Sequence, residues 1–374
     1  MPVFTEFNEN DEDALETIYT LFGIKTFVSD GEFPRRSNGS LINPSFASIK
    51  TEFKLNLPEN FTQLCVKDES LRRTFERALD EKDLPRELID IWSVIELERA
   101  FLPYSAYQGL FDTPQEQQRR SNDDNTPGSG SQFTEIVNGV SVLPDTIFKN
   151  ISTNTGLMRY LNYASVKKAE VTGDFVNLYY NEIFVQFDKV VMTQTSTALS
   201  LMEFSPPLPY KKTFVFDSFN YMNSVKVFLA FHDAFWAKDN KIPKINFNST
   251  TEINGGSGVT DLPCRVIYYP SHPFHGFSLL ASYVWDKDAD KLTAFKDDDL
   301  KDLILDNLVE IHGDVAREQY KEGKVIKWIE EDWTVGAFPW SDVGQFHKFG
   351  LTLQESFDNK IFFAGEYTSK VPYL

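Results

Sequence analysis

The sequence has few cysteines, no long apolar run and no excess of basic residues, and each absence excludes a class of protein. Cys65 and Cys264 are its only cysteines. Two are too few for a disulfide framework, a four-cysteine zinc site or an iron–sulfur cluster. Two unpaired buried thiols are expected, with a single bridge as the alternative. No stretch of about 20 apolar residues occurs, so no membrane-spanning helix is predicted.

Acidic residues outnumber basic ones by 55 to 37 over 374 residues, which gives a net charge of −18. A sequence-independent nucleic-acid binder needs a basic face for the phosphates, so no nucleic-acid partner is predicted. The N-terminus lacks the basic start and apolar core of a signal peptide. Four sequons nevertheless leave secretion open, and they lie at Asn38, Asn60, Asn150 and Asn248.

Motif patterns exclude several kinds of enzyme. The sequence contains no HExxH and no GxSxG, which excludes a zincin helix and the nucleophile elbow of an α/β-hydrolase. The run at 255–258, Gly-Gly-Ser-Gly, lacks the third glycine and the following helix of a dinucleotide-binding loop. His272 and His275 have no carboxylate or cysteine at ligand spacing, so no metal site is predicted.

Hydrophobic periodicity predicts a mixed α and β protein. Residues 1–60 are expected to be irregular with one helix at 11–22, and 66–104 to be helical. Segment 112–132 is almost without apolar residues and indicates a solvated insert. Strands are predicted at 176–186, 189–195, 224–231, 264–270, 277–285 and 360–366. A helix is predicted over 297–313, because its Asp-rich start suits the helix dipole and Gly313 is a natural stop.

Lys226 stands out because it lies inside an apolar strand, Val-Lys-Val-Phe-Leu. A lysine there must extend its ammonium to solvent or bind a partner, and buried lysines are often functional. The aromatic residues Tyr268, Tyr269, Trp328 and Trp333 could line a pocket for a flat ligand, although packing is their commoner role.

Six segments carry a family resemblance when they are taken in order: FTEIVNGVSVLP (133–144), FDKVVMTQTSTALSLMEFSPPLP (187–209), SVKVFLAFHDAFWAKD (224–239), GGSGVTDLPCRVIYYPS (255–271), VIKWIEEDWTVGAFPWSDVGQF (325–346) and KIFFAGEYTS (360–369). Together they resemble the flavin-dependent amine oxidases, and among them the L-amino acid oxidases most closely. The resemblance implies FAD as cofactor. It also implies an α/β, mixed α+β chain with an incomplete FAD-linked amine-oxidase fold.

The resemblance implies a division into three domains. They are a substrate domain with a mixed sheet (1–48 and 219–345), a helical domain (49–132, with the insert at 112–132) and an FAD-binding domain (133–218 and 346–374). The family's opening GxGxxG loop has no counterpart in this sequence, nor have its carboxylate-binding arginine and the helix that follows its final motif. The chain is therefore expected to be an internal piece of such an oxidase.

The resemblance also assigns roles to particular residues. Lys226 matches the lysine that reaches the flavin N5 atom through a water, and Trp328 matches the tryptophan beside the flavin ring. Glu366 matches the glutamate that accepts a hydrogen bond from the ribityl chain, where Gly365 allows close backbone approach. Further assignments are Tyr283 on the substrate carboxylate (with Ser282 there in strict register), Val166 at the adenine, Ala337 and Phe338 in the side-chain pocket, and Asp261, Arg265 and Tyr269 as structural residues.

The implied activity is oxidative deamination of L-amino acids to 2-oxo acids, with release of ammonia and hydrogen peroxide. The partners would be a small amino acid or amine and O2, and a homodimer is left open. Two alternatives remain. One is another amine or polyamine oxidase, and the other is a flavin-free relative without enzymatic activity, which the missing glycine loop favours.

Overall fold

The structure is a computed structural model. It describes residues 4–6, 18–20, 69–81, 86, 89–90, 93, 98–106, 108, 134–136, 139–155, 160–161, 163–237, 253, 257–270 and 276–369. Within these residues, no helix combines the length and the apolar character needed to cross a membrane.

Strands and helices alternate irregularly along the described chain. The strands are β1 (Phe4–Glu6), β2 (Ile18–Thr20), β3 (Thr134–Ile136), β4 (Lys168–Thr172), β5 (Phe175–Tyr180), β6 (Ile183–Phe187), β7 (Val190–Met192), β8 (Glu203–Ser205), β9 (Tyr221–Met222), β10 (Ser224–Phe231), β11 (Ser257–Thr260), β12 (Val266–Tyr268), β13 (Phe277–Trp285), β14 (Tyr320–Lys327), β15 (Phe338–Pro339) and β16 (Ile361–Phe363). The α-helices are α1 (Leu71–Glu81), α2 (Val142–Thr155), α3 (Ser196–Ser200), α4 (Tyr210–Ser218), α5 (Asp286–Thr293), α6 (Asp297–His312), α7 (Val315–Gln319) and α8 (Gln345–Gln354).

The largest sheet is mixed and six-stranded, in the order β14-β10-β13-β12-β11-β2. β10 pairs antiparallel with both β13 and β14, while β2 joins β11 in parallel at the edge. Alternate residues of β10 are buried. This is the pattern of a strand with one face against a core, so the other face of β10 is available for a site.

Helix α6 covers the buried face of this sheet. Its buried apolar residues recur at helical spacing and are Leu300, Ile304, Leu308 and Ile311. They share one core with Val225, Val227 and Leu229 of β10. Three aspartates occupy the first turn, and Gly313 ends the helix with a φ of +85°. The helix predicted over 297–313 is confirmed.

A second core surrounds the parallel pair β7 and β16, which run from Val190↔Ile361 to Met192↔Phe363. It also contains Leu199 of α3 and Phe216 of α4. Because the two strands run in the same direction, their carboxyl ends meet at one edge. Such an edge is where ligands bind in open α/β sheets. The two cores lie in the stretches assigned to the substrate and FAD-binding domains, whose boundaries stay a prediction.

Each predicted strand overlaps an observed one, but 176–186 is a hairpin and not a single strand, because β5 and β6 pair antiparallel and are joined by a turn at Asn181 and Glu182, both with positive φ. The helix predicted at 11–22 is wrong at 18–20, which form β2, because pairing with β11 outweighs the local pattern. Cys264 is a free, buried thiol, as expected. The insert 112–132, Cys65 and the pair His272 and His275 lie outside the described residues.

Lys212 of α4 forms hydrogen bonds that connect this helix to the end of α8. Its side chain is 3% exposed, and its ammonium donates to the carbonyl oxygens of Thr352, Leu353 and Glu355. The same ammonium lies 3.9 Å from the centroid of the Phe363 ring. Burial lowers the pKa of Lys212 to about 8, so the group is still mostly charged at neutral pH. Lys212 therefore satisfies carbonyls that the helix end leaves without partners.

Lys212→Met is expected to lower the unfolding free energy by about 2–4 kcal/mol, because buried carbonyls lose their donor. Thermal unfolding at pH 7 would measure the loss. Lys211→Met is the matched control, since Lys211 is the preceding residue of the same helix and is exposed. Equal melting temperatures for the two variants would contradict this role of Lys212.

Candidate functional site

Lys226 lies on the face of β10 that is not covered by α6. It is half-buried and pairs across the sheet with Tyr283 of β13 and Ile326 of β14. Its Nζ lies 4.4 Å from the centroid of the Tyr283 ring, within reach of a cation–π contact. The apolar strand thus holds its one lysine against an aromatic ring, on the open side of the sheet.

A β-bulge decides which residue of β13 faces Lys226. The register of β10 with β13 shifts between Val227 and Phe228, so that Phe228 pairs with Leu280 but Val227 pairs with Ser282. Without the bulge, strict alternation from Leu280 would put Ser282 on the open face. Ser282 is instead buried and donates to the carbonyl of Cys264. The structure therefore places Tyr283, and not Ser282, beside Lys226.

Aromatic rings extend this face away from Lys226. Trp285 lies 4.5 Å from Tyr283 and 6.1 Å from Phe101, centroid to centroid. Phe101 in turn contacts Phe338 at 6.4 Å and Trp340 at 4.3 Å. Sequence reasoning missed Trp285, although its position two residues after Tyr283 in an alternating strand gives the signal.

Trp328, Ala337 and Phe338 belong to one segment, which runs from the end of β14 to β15, the partner of β9. Trp328 is half-buried and opens a 3-10 turn directly after β14, and its carbonyl accepts from the Gly336 amide at 3.3 Å. The Ala337 amide donates to the carbonyl oxygen of Met222 at 2.8 Å, and Phe338 of β15 pairs with Met222 of β9. Because β10 begins two residues after Met222, the segment lies at the start of the Lys226 strand.

The predicted cofactor residues Gly365 and Glu366 lie at the carboxyl edge of β7 and β16. The Ala364 amide donates to the carbonyl of Met192 at 2.9 Å, which continues the strand pairing up to Gly365. Gly365 has a φ of +134°, a conformation that disfavours other residues. A side chain there would meet the Tyr367 ring at 3.2 Å.

Three buried polar atoms near this edge have no hydrogen-bond partner among the residues that the structure describes: Gln194 Oε1, Ser196 Oγ and Tyr367 Oη. Buried polar groups are normally paired, so each needs an explanation. A polar ligand at this edge would supply partners. The polar stretch Thr-Gln-Thr-Ser at 193–196 carried no signal that distinguished Gln194 or Ser196 from ordinary turn residues.

Glu366 is the acidic group of this edge. Partial burial raises the pKa of its carboxyl above the usual value, although the side chain keeps contact with solvent. Burial, and then the charge of Glu366, raise the pKa of Tyr221. Tyr221 belongs to β9, which pairs with β15 beside the 3-10 turn of Glu366. The edge thus connects to the loop that carries Phe338.

The remaining predicted residues lie elsewhere. Val166 is half-buried just before β4, in the four-stranded sheet β6-β5-β4-β8. Arg265 donates to Asp288 at 3.0 Å and to the Asp261 carbonyl at 2.7 Å, and the Tyr269 hydroxyl lies 2.8 Å from His312 Nε2. These last contacts are structural. Trp333 is 60% exposed.

Known proteins resemble this chain over most of its length. The model of the flavin containing amine oxidoreductases matches residues 35–372. An L-amino-acid oxidase of Pseudechis australis is 31% identical over 250 residues, which cover 64% of this chain and 45% of the relative. One from Siganus canaliculatus is 30% identical over 243 residues, covering 64% and 44%. The matched region thus spans under half the length of these relatives.

Solved structures show the same fold. Cyclohexylamine oxidase from Brevibacterium oxydans superposes with a TM-score of 0.66 at 14% identity, covering 99% of this chain and 78% of that one. Putrescine oxidase bound to putrescine gives 0.68 at 16%, covering 100% and 79%. The mixed α+β amine-oxidase fold and the flavin cofactor of the family are as predicted. The chain belongs to the flavin-containing amine oxidoreductases.

Proposed function

We propose that the protein oxidises L-amino acids with O2 on a bound FAD and releases 2-oxo acid, ammonia and hydrogen peroxide. The observation that carries the proposal is the pairing of Lys226 with Tyr283 on the open face of β10 and β13. A phenol hydroxyl can donate to a substrate carboxylate. The L-amino-acid oxidases among the relatives support this substrate class. Secretion and a homodimer stay predictions.

The residues at the carboxyl edge of β7 and β16 fit part of the cofactor. Gln194 Oε1, Ser196 Oγ and Tyr367 Oη are buried polar atoms without partners, and the hydroxyl-rich ribityl chain of FAD could satisfy them. Glu366 is a hydrogen-bond acceptor at the same edge. The sequence contains no GxGxxG loop for the pyrophosphate, so these residues would hold only one portion of FAD.

When bound, FAD would supply the redox chemistry, taking a hydride from the substrate and returning its electrons to oxygen. The chain's own residues would position the substrate and provide charge. Lys226 would place a positive charge near the reacting atoms, where it stabilises developing negative charge. Tyr283 would orient the carboxylate, while Ala337 and Phe338 would contact the side chain.

A related amine oxidase is the second candidate, and the aromatic wall favours it. Tyr283, Trp285, Phe101 and Phe338 form a connected series of rings. Such a wall attracts an ammonium group without any need for a carboxylate.

Absorbance spectra of the purified chain, with and without added FAD, test the proposal first. Peroxide assays then compare L-phenylalanine with 2-phenylethylamine, which differs only in lacking the carboxylate. Peroxide from the amino acid alone supports the proposal, and peroxide from the amine alone supports the second candidate. A colourless chain that does not take up FAD would overturn both for this chain, in favour of a non-enzymatic relative.

A further inference from the structure

A cleft of about 420 Å³ lies between the turn at 101–103 and the start of α5. Its wall includes the apolar surfaces of Trp285, Leu102 and Pro103. A narrower pocket that also contacts Trp285 adjoins it and reaches Arg265. A cleft of this size holds a small organic molecule. The cleft itself shares only its edge at Trp285 with the aromatic face described above, and the adjoining pocket also contacts Tyr283.

The cleft carries an excess of positive charge in a strongly acidic protein. Its basic side chains are Arg72, Arg99, Lys287 and Lys291, with Arg265 in the adjoining pocket. Its acidic side chains are Asp90, Asp286 and Asp288. Among the described lining residues, five cations against three carboxylates give a local charge opposite in sign to the net charge of −18. A cleft with such a charge concentrates anions.

Among the described residues, ion pairs leave Lys287 without a carboxylate partner and hold Arg99 only by a long contact to a carboxylate that two other cations share. Asp288 is 3.0 Å from both Arg265 and Lys291, and Arg99 approaches it only to 3.8 Å. Among the residues that the structure describes, no carboxylate lies closer to the Arg99 guanidinium than Asp288, and Lys287 forms no ion pair. Both side chains are exposed at the cleft.

We propose that this cleft binds a small oxyanion, a carboxylate or a phosphate, carried on an apolar body. Arg99 would bind the oxyanion with its planar fork of donors, and Lys287 would add a second charge. Trp285, Leu102 and Pro103 would contact the apolar body. The site does not depend on flavin, so anion binding here can be tested independently of the proposed oxidase activity.

Calorimetric titration of the 374-residue chain, without added FAD, tests the proposal with three probes. Hexanoate and hexylamine share a six-carbon chain and differ in the sign of their charge, and inorganic phosphate has no apolar body. Saturable binding of hexanoate with little binding of hexylamine supports a carboxylate site. Saturable binding of phosphate alone supports a phosphate site. Failure of both anions to bind, or equal binding of hexylamine, would overturn the proposal.

Two variants locate the binding. Arg99→Gln combined with Lys287→Gln is expected to weaken anion binding at least tenfold, with an unchanged melting temperature. Lys321→Gln combined with Lys324→Gln removes the same charge from exposed positions on β14, outside the cleft, and is expected to leave binding unchanged. Equal weakening in both double variants would show a general charge effect and overturn the site. If the Arg99→Gln and Lys287→Gln double variant has a lowered melting temperature, anion binding is measured with Lys287→Gln alone, which is then expected to weaken it.

Discussion

Lys226→Met is expected to lower peroxide formation by the flavin-loaded protein about 100-fold or more, the usual cost of removing a group that stabilises developing charge. The lysine lies on the open face of the sheet, with its ammonium over the Tyr283 ring. Methionine keeps the length and apolar stem of the side chain while removing the charge. The melting temperature is therefore expected to change little, because the half-buried stem still packs.

Lys324→Met is the matched control for this measurement. Lys324 pairs across the sheet with Phe228, two residues along β10 from Lys226, and is exposed. The same substitution there removes an equal charge from the same sheet at a greater distance. Lys226→Arg is the complementary variant, because it keeps the positive charge and changes the shape of the side chain. It is expected to retain part of the turnover. Turnover of Lys226→Met equal to that of Lys324→Met would contradict the role given to Lys226.

Strand β10 and helix α6 could be predicted from local pattern because that pattern agrees with the tertiary structure, whereas strands such as β4, β11 and β14 were not predicted. In β10, the residues alternate between a core face and an open face, and Lys226 is the one charged residue on the open face. In α6, the aspartates of the first turn, the stop at Gly313 and the apolar stripe all indicate the same helix, with the same ends. Where local and tertiary preferences coincide, sequence reasoning is reliable.

The site was harder to predict because its geometry depends on pairing between distant segments. The bulge that directs Tyr283 to Lys226 is a property of the register between β10 and β13, and no local signal reveals it. The partners of Lys212 lie about 140 residues away. Strand β2 was mistaken for part of a helix because its partner, β11, is over 200 residues distant.

His312 is expected to make the fold sensitive to acid. It is the last residue of α6 and is buried, with Nε2 2.8 Å from the Tyr269 hydroxyl and the ring 5.4 Å from that of Phe235. Its Nδ1 is buried without a hydrogen-bond partner in the structure. Burial lowers the pKa of His312 to about 4. The folded protein thus keeps this imidazole neutral at pH values where an exposed one is charged.

The sign of the effect follows from proton binding. In the unfolded chain His312 takes up a proton as the pH falls through its ordinary pKa of 6.5, while the folded form does so only near 4. Acid therefore favours the unfolded chain throughout this interval. Between pH 7.5 and 4.5, the contribution of His312 to the unfolding free energy is expected to fall by about 2.5 kcal/mol. Above pH 7 it is constant.

His312→Gln isolates this contribution, because glutamine can still hydrogen-bond Tyr269 but does not titrate. Urea unfolding at pH 7.5 and 4.5 would compare the variant with the parent chain. Glutamine is expected to lower stability at pH 7.5 through lost ring packing, and to reduce the loss on acidification by about 2.5 kcal/mol. His232→Gln is the control, since His232 is exposed, and it is expected to leave the acid dependence unchanged. Carboxylates contribute equally to the acid loss of all three proteins, so only the difference between them reports on the buried imidazole. The same acid loss in His312→Gln as in the parent would mean that His312 is charged in the folded protein or has access to water there.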